Sequence, residues 1–364
     1  MQNLCLILSE HCNLRCQHCF ESHSTISLTI EKCKNFINKY ANQISDNFNI
    51  VLYGGEPFLE FEKIKLITSF LKERWSKSLN KIIITTNGTV FNEEIRLWIE
   101  ENLHLLMLNL SIDGIRESHN INRDNSFDKI NHWFFSNISP RISARVTITP
   151  STVNNLYDNI IFLHKHNFKS IVVNFAQLPD KEWNINEAIE LFHVQLHLLA
   201  RFYINNINIK PCTLFDINIA NLVEPIYNRT SGCNIDKEIV LHSDGRVSRC
   251  RMFSADAQKN AANIGFNSID LKNPSDILDE KCLICPIERL CKTCYVANIK
   301  YRWNWKKRGD FYCAATKLRV LETAFLLYNK ILRLQSEDKY FRNPVTDYKI
   351  MLSIRQLKSY NILL

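Results

Sequence analysis

The sequence contains no stretch of 18 consecutive apolar residues, so no segment is built to cross a membrane as a helix. Its first fifteen residues lack the basic start and the small-residue cleavage site of a secretory signal. No run of lysines, or of arginines, exceeds two, and 45 basic against 37 acidic residues leave a net charge of only +8 over 364 residues. That balance gives no argument for nucleic acid, although an acidic or peptidic partner is compatible with it. There is no internal repeat beyond an alternation of strands and helices, and no low-complexity linker. The expected location is the cytoplasm. An apolar content of 46% supports a large core, and the length suits one barrel-sized domain plus a smaller module.

Cysteine is what the chain has in quantity. There are 13, an odd number, in groups. Pairs at two-residue spacing in a chain of this size point to metal or redox chemistry in a reducing compartment, not to a disulfide scaffold. The first group, Cys12-Asn-Leu-Arg-Cys16-Gln-His-Cys19-Phe20, follows the apolar run Leu4–Leu8. Three thiolates on one tight loop can hold three irons of a four-iron cubane and leave the fourth open. A zinc knuckle completed by His11 or His18 is the alternative that spacing leaves open. The second group holds seven cysteines in 81 residues: Cys233, Cys250, Cys282, Cys285, Cys291, Cys294 and Cys313. Cys5 and Cys33 fit no pattern and read as buried structural thiols.

Between residues 4 and about 210, short apolar runs alternate with amphipathic ones. Strands are expected at Leu4–Leu8, Asn49–Tyr53, Lys81–Thr85, Leu105–Leu110, Ile142–Ile148 and Ser170–Phe175. Helices are expected at Thr29–Tyr40, Glu60–Ser76, Asn92–Glu101, Phe127–Asn137, Val153–His166 and Asn186–Ile204. Such alternation implies parallel pairing with right-handed crossovers. Six units are too few to close an eightfold barrel, so a partial (β/α)6 TIM-like barrel is the economical fold. Its site would lie on the loops after the strands. Those loops carry Gly54-Gly55-Glu56-Pro57, Thr86-Asn87-Gly88-Thr89 and Ser111-Ile112-Asp113-Gly114. Arg145 lies on the fifth strand and Asn174 near the end of the sixth. Further on, Ile239–Leu241 and Val247–Cys250 around Ser243-Asp244-Gly245 read as a hairpin. Residues 314–336 read as a helix with Leu318, Leu321, Phe325, Ile331 and Leu334 on its apolar face. The stretch Tyr348–Leu352 and the end Ile362-Leu363-Leu364 fit no assignment.

The cysteine loop, followed by Gly54-Gly55-Glu56-Pro57 and Ser111-Ile-Asp-Gly114, resembles the radical S-adenosylmethionine (radical SAM) superfamily over about residues 3 to 175. The resemblance implies that Cys12, Cys16 and Cys19 hold a [4Fe–4S] cluster whose open iron chelates S-adenosylmethionine. The reduced cluster would cleave it to methionine and a 5′-deoxyadenosyl radical that abstracts hydrogen from substrate. It also implies contacts to S-adenosylmethionine from Phe20 (adenine), from Gly54, Gly55, Glu56 and Pro57 (with Glu56 receiving the ammonium group), and from Ser111, Asp113 and Arg145 (carboxylate or ribose). The seven later cysteines, with Gly245 between the first two, are similar to the SPASM domain, which carries two auxiliary [4Fe–4S] clusters. By that likeness Cys282, Cys285, Cys291 and Cys313 hold one cluster and Cys233, Cys250 and Cys294 the other, with Cys212 or a substrate group completing it. One spacing departs from the pattern: two residues, not three, separate Cys291 from Cys294.

The implied organisation is a partial barrel over 1–210, a connector over 211–232, a SPASM domain over 233–313 and a helical tail over 314–364. The implied activity is modification of a ribosomally made precursor peptide, with an intrapeptide thioether or carbon–carbon crosslink as the leading expectation. Sulfatase maturation, epimerisation and a small-molecule substrate are alternatives, and a zinc-stabilised binding module is the non-enzyme alternative. Against sulfatase maturation, Arg251 follows Cys250 where that subgroup has an aspartate as its proposed base. A flavodoxin or ferredoxin would supply electrons, and a separate protein could recognise the leader peptide. No general base is assigned; His18, Asp113 and Asn174 are the candidates in range.

Overall fold

Each apolar run expected to be a strand forms one; the first three are longer by one or two residues at each end, and the other three agree to within a residue. The strands are β1 (Gln2–Ser9), β2 (Phe48–Gly54), β3 (Leu79–Thr86), β4 (Leu106–Ser111), β5 (Ser143–Ile148) and β6 (Ser170–Phe175). The structure, a computed structural model, describes residues 2–44, 47–224, 233, 235, 237–271, 273–336 and 341–359. Strands β1 to β5 pair in parallel in sequence order, which requires the helical crossovers between them. The α/β class inferred from the alternation is the class observed. Two predicted caps start their helices: Thr29 Oγ1 accepts from Lys32 N at 3.3 Å, and Asn92 Oδ1 from Ile95 N at 2.9 Å.

The sheet has eight strands, not six, in the order β6-β5-β4-β3-β2-β1-β7-β8. The expected hairpin supplies the last two. Strand β7 (Glu238–Leu241) pairs in parallel with β1, in register Leu4↔Ile239 and Leu6↔Leu241, and antiparallel with β8 (Val247–Ser248). The strand that leads into the cysteine loop is therefore bonded on both edges.

Three other details differ from the sequence reading. The helix expected over Phe127–Asn137 is a 3₁₀ turn, Phe127–Lys129, and a separate helix, His132–Asn137. Asn131 caps the second piece, its Oδ1 accepting from Phe134 N at 3.1 Å. An unexpected helix, Arg116–Asn122, precedes them. The long late helix spans Asp310–Gln335 but buries a different stripe. Phe311, Ala315, Val320, Ala324, Leu327 and Ile331 are buried, whereas Phe325 is exposed and Leu318, Leu321 and Leu334 are only partly covered. Small residues permit close backbone approach, and a count of large apolar side chains misses them. Tyr348–Leu352 lies in a helix, Pro344–Ser359; Ile362 to Leu364 and part of the connector, 225–232, lie outside the described residues.

The chain divides into two compact units. The first comprises Met1–Thr147, Ile161–Ile171 and Asn234–Lys259; the second comprises Ile148–Ile160, Val172–Cys233 and Asn260–Leu364. In the second, Ile219, Leu222, Ile287 and Leu290 pack with Val320, Leu327 and Ile331 of the long helix and Ile350, Ile354 and Leu357 of the last one. Trp183 stacks on Phe311 at 3.7 Å, and Tyr312 Oη accepts from Trp183 Nε1 at 3.0 Å while donating to Ala176 O at 2.6 Å.

Candidate functional site

The cysteine loop leaves β1 and is laid directly on the loop after β2. Gly55 N donates to Ser9 O and Glu56 N to His11 O, both at 3.0 Å. A Cβ on Gly55 would stand 2.3 Å from His11 O and 2.5 Å from Glu10 O, and one on Gly54 (φ +143°) 2.0 Å from Ser9 O. Only glycine permits this approach. All thirteen cysteines are free thiols. Cys12, Cys16 and Cys19 each feel the negative charge of another member of the trio. Burial raises all three thiols; donors then favour the thiolates, namely Leu14 N and the Asn87 amide at Cys12, the Arg123 guanidinium at Cys16 and a backbone N–H at Cys19. Among the described residues, no three His, Cys, Asp or Glu side chains converge on a point that would hold a single ion. Three free thiols in mutual electrostatic reach beside a glycine cradle fit the donor set of a multi-iron cluster.

Glu56 is 2% exposed and its carboxylate faces protein, not the loop's open side. Oε1 accepts from Phe58 N at 3.0 Å and Thr86 Oγ1 at 2.8 Å; Oε2 accepts from Asn87 N at 2.6 Å. Pro57 begins the 3₁₀ turn that Glu56 caps. Asn87 then passes the connection on, its Nδ2 donating to Asn13 Oδ1 at 2.9 Å and reaching Cys12 Sγ at 3.7 Å. Burial pushes the Glu56 carboxyl up to about 7 against the three donors.

Asp113 is likewise saturated. Its carboxylate accepts from Arg123 Nε at 2.8 Å and Nη2 at 3.0 Å, Asn122 Nδ2 at 3.1 Å and Thr147 N at 2.8 Å. Burial pushes this carboxyl up, but Arg123 and neighbouring imidazoles more than offset it and leave it below the ordinary aspartate value. Arg123 also hydrogen-bonds Cys16. The segment after β4 grips the cysteine loop at two backbone points as well: Gln17 N donates to Asn122 O, and Arg15 N to Asp124 Oδ2, both at 3.1 Å. Arg123 and Asn122 were not singled out from the sequence, and Asn87 was named only as part of the loop after β3. Each is one polar residue whose role depends on a distant loop, and no local pattern marks it.

Ser111 and Arg145 are directly opposite each other on β4 and β5. Arg145 Nε donates to Asn109 Oδ1 at 3.0 Å, and Asn109 Nδ2 donates to Thr85 Oγ1 at 3.3 Å, so a polar row crosses β3, β4 and β5. Among the described residues no carboxylate pairs with Arg145, and burial lowers its pKa. Tyr53 carries the Arg251 guanidinium 4.6 Å from its ring centre, and Arg251 is ion-paired to buried Glu238. Phe20 and Glu21 line a cavity of about 260 Å³ together with His242, Asp244, Arg251 and Phe253. His18 is a neutral imidazole, lowered to about 4 by burial, with Nδ1 unpartnered. Asn174 is exposed.

In the second unit, four thiols form a group of their own. Cys282 feels the charge of Cys313 and Cys285, and Cys291 that of Cys313, Cys282 and Cys285. Burial raises both, and Arg308 lowers both. Arg308 Nε is buried and has no acceptor among the described residues. Cys294 Sγ accepts from Ala297 N at 3.5 Å as the cap of helix Tyr295–Arg302. Cys212 is sealed, 1% exposed and beneath Tyr203, whose Oη accepts from Cys212 N at 3.1 Å. Of the remaining pair, Cys250 belongs to the first unit and Cys233 to the second. Cys5 and Cys33 are buried, as expected.

Residues 6–134 match the Radical SAM superfamily. This segment is a radical SAM domain. That family works with a [4Fe–4S] cluster and S-adenosylmethionine, and the protein is an enzyme. A cysteine-type anaerobic sulfatase-maturating enzyme of Clostridium novyi is 28% identical over 345 residues, covering 80% of this chain and 88% of that one. The radical SAM fold is shared with native anSMEcpe solved with AdoMet and the Cp18Cys peptide, at TM-score 0.72 and 20% identity over 93% of this chain and 99% of that one. It is shared more loosely with Streptococcus suis SuiB bound to its precursor peptide SuiA, at TM-score 0.54 and 15% identity over 86% and 75%. No described helix is long and apolar enough to cross a membrane.

Proposed function

We propose that this radical SAM enzyme modifies a ribosomally made peptide, and that the modification is an intrapeptide crosslink. The reading is carried by the presence of two separate groups of interacting thiols, the trio after β1 and the quartet Cys282, Cys285, Cys291 and Cys313. In support, the fold is that of proteins solved with peptides bound. Cys12, Cys16 and Cys19 would hold the catalytic cluster and the quartet an auxiliary one. The assignment of Cys233, Cys250 and Cys294 to a further cluster rests on the sequence pattern.

When bound, the first cluster and S-adenosylmethionine supply one-electron chemistry: reductive cleavage that delivers a 5′-deoxyadenosyl radical. The chain's residues bind and orient. Gly54 and Gly55 let the backbone of the cysteine loop lie directly on the loop after β2. The Glu56 carboxylate, turned inward, holds that backbone still and leaves an incoming ammonium group to main-chain carbonyls. Ser111 and Arg145, which has no carboxylate partner among the described residues, offer a hydroxyl and a cation to a carboxylate, and Phe20 offers a ring face to adenine. The buried Asp113–Arg123 pair braces Cys16 and is unavailable as a base.

Sulfatase-type maturation is the second reading, favoured by the 28% identity over 345 residues to a maturating enzyme. Against it, the residue after Cys250 is Arg251, which is engaged with Glu238 and Tyr53 and offers no base. The reduced, reconstituted enzyme should release 5′-deoxyadenosine. With a neighbouring precursor peptide, a loss of two hydrogens would support crosslinking. Deuterium uptake at unchanged connectivity would mean epimerisation, and an aldehyde at Cys or Ser would mean sulfatase-type oxidation. A flavodoxin or ferredoxin is the proposed electron source, and a separate leader-binding protein a proposed partner.

A further inference from the structure

One guanidinium stands beside two of the four thiols of the second unit, Cys282 and Cys291. Arg308 lies two residues before helix Asp310–Gln335. Its Nη1 donates to Cys291 Sγ. Its Nη2 donates to Thr316 Oγ1 at 2.7 Å, and that hydroxyl donates onward to Tyr312 O at 2.9 Å. Thr316 lies three residues after Cys313, so both project from neighbouring positions on one helix face. The side chain is thus held at one end by the helix that carries one thiol and at the other by a second thiol. Nε is buried and unpartnered, and among the described residues no carboxylate pairs with Arg308. A half-buried guanidinium with a buried, unpartnered Nε and no carboxylate favours another anion, and the sulfur it contacts is that of Cys291.

We infer that Arg308 sets the reduction potential of the cluster held by Cys282, Cys285, Cys291 and Cys313; the inference rests on the reading of those thiols as ligands. Hydrogen bonds to sulfur and the net charge near a cluster are among the levers that set its potential. Arg308 supplies both, an N–H to Cys291 sulfur and a permanent positive charge in low dielectric. Uptake of one electron adds one negative charge to the cluster. A fixed cation beside it stabilises the reduced form more than the oxidised one, so the potential is held high relative to the same cluster without Arg308.

The test uses the full chain with Cys12, Cys16 and Cys19 all changed to Ala, so that only auxiliary iron remains. After anaerobic reconstitution, iron is counted and the midpoint is read by electron paramagnetic resonance during a titration with dithionite. Arg308→Gln should keep the iron and shift the midpoint to more negative potential, with Arg308→Lys between the two. Iron retained with an unmoved midpoint would overturn the inference while leaving the cluster standing. If Arg308→Gln loses its iron, Arg308→Lys decides: a negative shift supports the role and an unchanged midpoint ends it. If Cys282→Ala removes no iron from this background, the quartet is not a ligand set, and the inference fails together with that reading.

Discussion

The backbone nitrogen of Asn87 donates to Glu56 Oε2 at 2.6 Å, which ties the loop after β3 to the loop after β2. Because the Asn87 side chain continues to Cys12 Sγ, a buried carboxylate at one strand end helps fix the position of a thiol at another.

Glu56→Gln should therefore destabilise the chain. All three groups facing the carboxylate donate, and a glutamine amide nitrogen turned toward any of them leaves that donor unpaired, at a cost of about 1–3 kcal/mol. The pH profile gives a second signature. Burial raises the folded carboxyl from 4.5 to about 7. The stability linked to its proton is fully present below 4.5 and is lost as pH rises through about 7. Urea unfolding of the iron-free chain across that window should show the decline in the native sequence and its absence in the variant.

Gly55→Ala should disrupt the cysteine loop. The added Cβ meets two backbone carbonyls, Glu10 O and His11 O, which cannot rotate away as a side chain would. Overpacking of this kind costs about 1–3 kcal/mol. Circular dichroism melts and iron content after reconstitution should both fall.

Asp113→Asn should cost about 3–5 kcal/mol, because it leaves the Arg123 guanidinium buried without its carboxylate. The native carboxyl sits below its ordinary value of 3.8. Its contribution is therefore present above 3.8 and lost as pH falls through the lower folded value. Acid unfolding should begin at higher pH in the variant, and an unchanged acid limb would show that the pair is not stabilising.

Cys16→Ala should abolish 5′-deoxyadenosine formation while auxiliary iron remains. Iron analysis and product chromatography on one preparation check both halves, and residual cleavage above background would remove Cys16 from the ligand set.

The parts of this fold that were legible in the sequence are those encoded locally. The strands announce themselves because β1 and β2 are buried on both faces and so read as continuous apolar runs. The trio stood out because three closely spaced cysteines share one short loop, whereas the quartet was grouped only through the resemblance to a known domain. Ser111 and Arg145 were recognised separately; only the β4–β5 register makes them neighbours. Side-chain direction was not legible. Glu56 and Asp113 looked like groups offered to a ligand, and the structure turns both inward onto donors that arrive from other loops. The face of the long helix was misread because Ala315 and Ala324, not the large residues beside them, mark where it packs.

The pairing of β7 with β1 has a consequence during biosynthesis. Strands β1 and β2 can meet once the chain is available through Gly54, a single β–α–β crossover. The opposite edge of β1 stays bare until Glu238–Leu241 leave the ribosome. For most of translation, the strand that leads into the thiol loop exposes open main-chain donors and acceptors, the situation in which edge strands recruit foreign partners. A nascent chain stalled before residue 238 should be the aggregation-prone species, and the short late hairpin is what closes that interval.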